Sequence, residues 1–374
     1  MAVPFFDLKD QYATLREELR AAVDRVLDSQ VCIGGPELDA FEAEVGDFLD
    51  APVAVGCSNG SDAIVLALRA LGVGPGDEVI VPSFTFFATA GSVRVVGAKP
   101  VFVDVEPASF NIDPADVERK LTDRTRAIIP VDLFGQPADL EPIHALACER
   151  ELGVIEDAAQ AIGARHRLGK VGAISQLTTF SFYPTKNLGT CGEAGLVTTV
   201  DEALGERLRQ LRNHGQSRQY LHDHVGYNAR LDAIQAAILR VKLGRLEGWM
   251  ARRDAHAARY MERLAGAKLI LPPVADWTER HVWNQFTIRI AAGGELDRDA
   301  VRAALAERGI GSGVYYPLSL HLQPCFADLG GAEGDCPVSE QASREVLALP
   351  IFPELETAQI DEVADALLEL VGER

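Results

Sequence analysis

No apolar run in this 374-residue chain approaches the ~18 consecutive residues of a membrane span, which excludes that class. No CxxC pair occurs among the six cysteines (Cys32, Cys57, Cys148, Cys191, Cys325 and Cys336), so free thiols are expected rather than disulfides or a zinc centre. The start, MAVPFFDLKDQ, lacks the basic-then-apolar order of a secretory signal, and a cytoplasmic setting is the expectation. Positive charge is scarce. The 36 Lys and Arg residues stand against 55 Asp and Glu, a net charge of −19, and no basic patch offsets it. Such a chain repels phosphate backbones, so nucleic acid is not an expected partner. Internal repeats and low-complexity tracts are also missing. What is present, 47% apolar and 24% charged residues, is the composition of an ordinary globular protein. The length exceeds the ~250–300 residues that one core serves and predicts about two domains.

Through the first 200 residues, short β-rich runs alternate with helical patterns. Leu8, Tyr12, Leu15, Leu19, Val23 and Val26 recur at spacings of three and four and predict an amphipathic helix; a second follows Pro36. VAVG (53–56), EVIVP (78–82), PVFVDV (100–105), AIIPV (127–131) and GVIEDA (153–158) read as buried strands, the first four each followed by a helix. LTTFSFY (177–183) and GLVTTV (195–200) are two more. This order implies an α/β/α sandwich on a mixed, mostly parallel sheet. A long helical stretch from Leu231 to about Leu264 should break near Gly244 or Gly248. Beyond Pro272-Pro273 the chain reads strand, helix, strand, helix. The predicted division is a large domain over 1–248 and a smaller C-terminal α+β domain over 249–374, with no flexible linker.

Several motif-like stretches carry no chemistry. GVGPGD (72–77) has the glycines of a nucleotide fingerprint but lies between a helix and a strand, and Pro75 removes an amide. GARHRLGK (163–170) has one residue too many between its glycines for a P-loop, and Val171 stands where the hydroxyl belongs. His214, His222 and His224 have no carboxylate or cysteine at metal-ligand spacing and read as a polar loop; no metal is expected.

Three other elements fit together. CSNGSDA (57–63) joins a strand to a helix: Gly60 permits close backbone approach, and Ser61 and Asp62 are expected to cap a helix whose free amides hold a phosphate. VIEDAAQA (154–161) puts two acids at the carboxyl end of a buried strand, where open α/β sheets bind ligands. Asp157 is the better placed to face the site, with Gln160 one helical turn on. In SFYPTKNLGTCGEAG (181–195), Lys186 leaves a strand through Pro184 into a glycine-rich loop, a setting for a tightly placed amine. A phosphate cradle, a buried aspartate and a strand-end lysine are the set that pyridoxal phosphate chemistry needs: an amine for the Schiff base and a carboxylate to keep the pyridine nitrogen protonated.

These runs, with FFDLKDQY (5–12), NGSDAIVLALRALGVGPGDEVIVPSFTFFATA, VDLFGQPADL and GYNARLDAIQAAIL, resemble the sugar-nucleotide aminotransferases of the DegT–StrS family over essentially the whole chain. The resemblance implies a fold-type I pyridoxal phosphate enzyme. It implies Lys186 as the Schiff-base lysine, Asp157 as the partner of the pyridine nitrogen and Gln160 at the ring hydroxyl. Gly60, Ser61 and Ser181 match phosphate-binding positions, and Phe86 the aromatic stacked on the ring. Asn228 matches a residue that reaches the phosphate from a neighbouring subunit, which implies a homodimer with shared sites. The family's dehydratase branch has histidine at the lysine position, so Lys186 implies an aminotransferase.

The resemblance further implies that L-glutamate donates its amino group to a nucleotide-linked keto sugar, with pyridoxamine phosphate carrying the nitrogen between the two halves. The chain departs from the family where the sugar should bind. In VYYPLSLHLQPCF (314–326), Tyr315 replaces a frequent histidine and Ser319 a proline. Tyr183, Arg230, Tyr316 and His321 are the expected sugar contacts. The HGQ, RQY and NARLD runs of 211–232 look most like enzymes that aminate carbon 3, with a 3-keto UDP-2-acetamido hexuronic acid as the narrower reading and a 4-keto-6-deoxy sugar as the competitor.

Overall fold

A computed structural model describes residues 2–291 and 296–373. Its centre is a seven-stranded sheet: β1 (Val53–Cys57), β2 (Glu78–Pro82), β3 (Lys99–Val103), β4 (Thr125–Ile128), β5 (Gly153–Asp157), β6 (Leu177–Ser181) and β7 (Gly195–Thr199), in the spatial order β1-β7-β6-β5-β4-β2-β3. β7 runs antiparallel to both neighbours, and every other pairing is parallel. β1, β2 and β7 are buried along their whole length, as strands covered by helices on both faces must be. The strand predicted at 127–131 is Thr125–Ile128, two or three residues earlier; Pro130 has no amide to donate, and beyond it the pairing with β5 continues only as a bridge from Val131 to Asp157.

Six strands pointing one way place the ends of β1, β2, β5 and β6 along a single rim. The start of the antiparallel β7 joins them, so five chain segments converge there. At that rim a Cβ on Gly195 would meet the Asn59 carbonyl oxygen at 2.3 Å, so only glycine lets the two segments touch.

The helix Lys9–Ser29 buries Leu15, Leu19, Ala22 and Val26 but leaves Tyr12 exposed. The long helical stretch breaks at Gly244, between Ala233–Leu243 and Leu246–Arg263; Gly248 lies inside the second helix and breaks nothing. That second helix belongs to two cores. Leu246, Trp249 and Met250 pack under the sheet, while Ala257, Tyr260 and Leu264 pack with the C-terminal elements. Those elements include an antiparallel pair, β8 (Phe286–Arg289) with β9 (Val346–Leu349), and the helices Arg298–Glu307 and Thr357–Val371. Val3 is buried in the same C-terminal core, and Thr278–Arg280 pairs with Arg165–His166 of the sandwich; neither contact has a local sequence signal. Among the described residues, no helix is long and apolar enough to cross a membrane.

Candidate active site

Asp157 ends β5 and is buried. Its Oδ2 accepts from Thr89 Oγ1 at 2.7 Å and its Oδ1 from the Ala159 amide at 3.2 Å. Burial pushes this carboxyl up, against the Thr89 and Ala159 hydrogen bonds and the charge of Lys186, which favour the ionised form. Lys186 lies past the end of β6 on a tightly fixed loop. Its amide donates to Tyr183 O at 2.9 Å, Thr190 N donates to Phe182 O at 2.9 Å, and a Cβ on Gly189 would meet Pro184 O at 2.3 Å. Asn187 anchors the loop to the C-terminal part through Val282 O at 2.8 Å, and Lys242 Nζ donates to Gly189 O at 2.7 Å. Burial lowers the Lys186 amine to about 8, with Asp157 pulling the other way. An amine so placed is in part neutral near neutral pH, as a nucleophile or base must be.

The helix Gly60–Ala70 supplies the amide end. Its cap is Asn59, whose side chain accepts from Asp62 N at 2.8 Å; Ser61 and Asp62, expected to cap, sit in its first turn instead. Asp62 turns back to accept from Asn59 Nδ2 at 2.8 Å and from Ser58. A Cβ on Gly60 would meet Ser181 Cβ at 2.7 Å, so Gly60 and Ser181 lie against each other. Ser61 is exposed. Phe86 caps the helix Phe87–Val95 and is 57% exposed, so it is no core residue. Its ring lies 6.3 Å from that of Tyr316. Gln160 is buried, its Oε1 accepting from Phe134 N at 2.6 Å and its Nε2 donating to Tyr316 OH at 3.3 Å.

These groups fit pyridoxal phosphate. A buried carboxylate would meet the ring nitrogen, the unhindered amides at Gly60 and Ser61 the phosphate, an open phenyl face the ring, and an amine without a hydrogen-bond partner among the described residues the aldehyde carbon.

Not every expected residue joins them. Asn228 is exposed and bridges Asn213 through the backbone. Arg230 donates to Asn213 Oδ1 at 2.9 Å, while its Nε is buried with no partner. Tyr183 is 48% exposed beside the lysine loop. His321 corrects an expectation. It is buried, with Nδ1 at 2.6 Å from Ser83 Oγ and Nε2 at 3.2 Å from Glu340 Oε1, so both ring nitrogens are taken and none is left for a sugar. It ties the 320–322 turn to the end of β2.

Sequence reasoning missed Thr89, although its spacing of three from Phe86 puts both on one helical face. It also missed what lies behind Asp157. Glu156 points to the opposite face of β5 and meets Asp132 in full burial. Ala138 N donates to Asp132 Oδ1 at 2.9 Å and Thr178 Oγ1 to Glu156 Oε2 at 3.0 Å, leaving Asp132 Oδ2 and Glu156 Oε1 to share a proton. Burial, and then the charge of Glu156, raise Asp132 well above the usual carboxylate range; burial raises Glu156 as well.

A pair with raised proton affinity binds more protons folded than unfolded. Its stabilisation is therefore complete below the ordinary carboxylate range and lost as pH rises through the folded value. Wild-type stability should fall as pH rises above the ordinary carboxylate range, with a limiting slope of about 1.4 kcal/mol per pH unit while the folded pair holds one proton more than the unfolded chain. Asp132→Asn, which needs no proton to donate to Glu156, should flatten the slope in urea titrations above that range.

The whole chain has relatives. A model of the DegT/DnrJ/EryC1/StrS aminotransferase family matches residues 13–368. The pleiotropic regulatory protein of Geobacillus stearothermophilus is 49% identical over 372 residues, which span 99% of this chain and 98% of that one. The UDP-N-acetyl-3-dehydro-alpha-D-glucosamine 3-aminotransferase of Acidithiobacillus ferrooxidans is 47% identical over 366 residues, 98% of this chain and 97% of that one. The crystal structure of DesV from S. venezuelae, in complex with a ketimine intermediate, matches with a TM-score of 0.96 and 46% identity, covering 100% of this chain and 99% of that one.

Proposed function

Because the chain belongs to the DegT/DnrJ/EryC1/StrS aminotransferase family and is a pyridoxal-phosphate-dependent sugar aminotransferase, we propose that it moves the amino group of L-glutamate onto carbon 3 of a nucleotide-linked 3-keto sugar. One observation carries the chemistry: an amine lowered to about 8 on a fixed loop, within the electrostatic reach of a buried carboxylate. Bound pyridoxal phosphate supplies a ring that accepts electrons from the substrate carbon. Lys186 takes the proton from the glutamate α-carbon and returns one to the sugar carbon. Asp157, oriented by Thr89 and the Ala159 amide, holds a proton at the ring nitrogen. Ser61, Ser181 and the amides of Gly60–Ala70 bind the phosphate; Phe86 covers one ring face, and Gln160, fixed between Phe134 and Tyr316, orients the ring hydroxyl. Tyr183 and Tyr316 border the sugar.

Support for carbon 3 is the Acidithiobacillus relative, whose name places its reaction there. Arg230 bears on the narrower reading, a hexuronic acid carried by UDP. Its unpartnered Nε could receive a sugar carboxylate, but Asn213 already engages its Nη1. Turnover of a panel of 3-keto and 4-keto nucleotide sugars with glutamate tests the proposal. Amination of the 3-keto sugars is expected, and exclusive use of a 4-keto-6-deoxy sugar would overturn it.

We further propose a homodimer in which Asn228 completes the partner's phosphate site. Its exposure supports this, as does the exposed apolar surface of Leu27, Val31 and Ile33 near the first helix. Lys186→Ala and Asn228→Ala chains, each weak alone, should regain activity when mixed, through heterodimers with one intact site. A fully active monomer in sedimentation would refute this. The six free cysteines agree with a cytoplasmic setting.

A further inference from the structure

Behind the Lys186 site lies a cavity of about 330 Å³. It opens between the segments that follow β3 and β4 and the strand β8. Phe110, Leu133, Phe134, Ile270, Leu271 and Pro272 form apolar walls. Strand alternation supplies the remaining wall. Phe286 and Ile288 turn into the C-terminal core, so Gln285, Thr287 and Arg289 face the other way, into the cavity.

Two of these three polar side chains lack a partner. Thr287 is 3% exposed and its Oγ1 makes no hydrogen bond; Gln285 Oε1 is buried and equally unmatched. A buried polar atom left in this state costs ~1–3 kcal/mol, so two on one wall of a cavity mark a place where something else is meant to sit. Arg289 differs. Glu345 Oε2 accepts from its Nε and Nη2 at 3.0 and 2.7 Å, Pro107 O from its Nη1 at 3.1 Å, and its guanidinium lies 5.6 Å from the Phe110 ring centroid. Its charge is therefore already neutralised. His281, also lining the cavity, accepts from Trp283 N at 3.0 Å through Nδ1, which leaves its proton on Nε2 as a further donor. The opposite side of the 133–136 turn donates the Phe134 amide to Gln160, so this cavity backs directly onto the Lys186 site.

We propose that the cavity is a second small-molecule site, separate from the Lys186 site, for a compact, uncharged ring compound bearing hydroxyl groups. Volume, charge and hydrogen bonding each narrow the choice. The volume is at the small end of the ~300–1,000 Å³ of ligand pockets and holds one ring rather than a nucleotide. The paired Arg289 offers no net charge for an anion. A hydroxyl can donate to Gln285 Oε1 and accept from Thr287 Oγ1, satisfying both atoms at once.

Resorcinol is the probe, because it has the ring and two hydroxyls but no amine to react with the cofactor. Titrated into the holoenzyme and followed by calorimetry, it should bind with a dissociation constant on the order of 1 mM, the range open to so few atoms. Thr287→Val removes the hydroxyl but keeps the shape, and should weaken binding about fivefold. Should that variant fail to fold, Ala108→Trp, at an exposed lining position, should fill the mouth and abolish binding. Toluene, with the ring but no hydroxyl, should bind more weakly than resorcinol. Absence of resorcinol binding would mean that water alone occupies the cavity. Binding insensitive to Thr287→Val or to Ala108→Trp would mean that the probe sits elsewhere or is held without the polar pair. Each of these results overturns the proposal.

Discussion

Lys186→Ala should abolish transamination, with kcat falling by at least about 10³-fold. A positioned acid–base group alone contributes ~10²–10⁴-fold, and this amine also serves as the attachment point of the cofactor. The fold should survive, since the loop is held by its backbone, by Asn187 and by Lys242 rather than by the lysine side chain. Loss of activity alone does not identify the attachment point, so the decisive measurement is chemical. Borohydride should join the cofactor to wild-type chains at residue 186 and leave the variant unlabelled, as read by peptide mass spectrometry. Cofactor recovered on another lysine, Lys242 or Lys170 for example, would remove Lys186 from the mechanism.

Asp157→Asn should have the second largest effect. The Ala159 amide can still donate to the asparagine Oδ1, and the Thr89 hydroxyl can turn to accept from its Nδ2, so the local structure should hold. What goes is the negative charge that would keep the ring nitrogen protonated. A hydrogen bond to a charged group is worth ~1.5–3 kcal/mol, so kcat should fall roughly 10–10²-fold. A second readout separates this role from a structural one. The Asp157 charge raises the Lys186 amine against the lowering effect of burial, which together leave it at about 8. Without the charge, the amine should lose its proton at a lower pH. Reaction of cofactor-free protein with trinitrobenzene sulfonate, followed at Lys186 against pH, should therefore shift to lower pH in the variant. An unmoved profile would show that the two groups do not sense each other.

Glu156 and Asp157 show how far a strand pattern carries. Alternation along β5 separates the two acids onto opposite faces, and their position at a carboxyl end marks the rim where a ligand binds. Which acid faces the site, and what the other one meets, depends on residues far away in sequence. Thr89 approaches from a helix 68 residues earlier, and Asp132 from the turn after β4. His321 illustrates the reverse. A histidine in an aromatic-rich stretch resembles a ligand contact, but Ser83 and Glu340 enclose it, and neither is its sequence neighbour.

By itself, the sequence determined the alternation of strands and helices, the mostly parallel sheet, the family, the cofactor and the residues that contend for its ring, phosphate and aldehyde. Each of these is written in short runs, where burial period, glycine placement and motif order act over a few residues. The tertiary structure decided the break at Gly244, Asn59 as the helix cap, the shared proton of Asp132 and Glu156, the withdrawal of His321 into the interior, and the cavity behind the 133–136 turn. Those outcomes depend on which distant atoms approach one another and on which polar groups are left without water. Local periodicity carries no record of either.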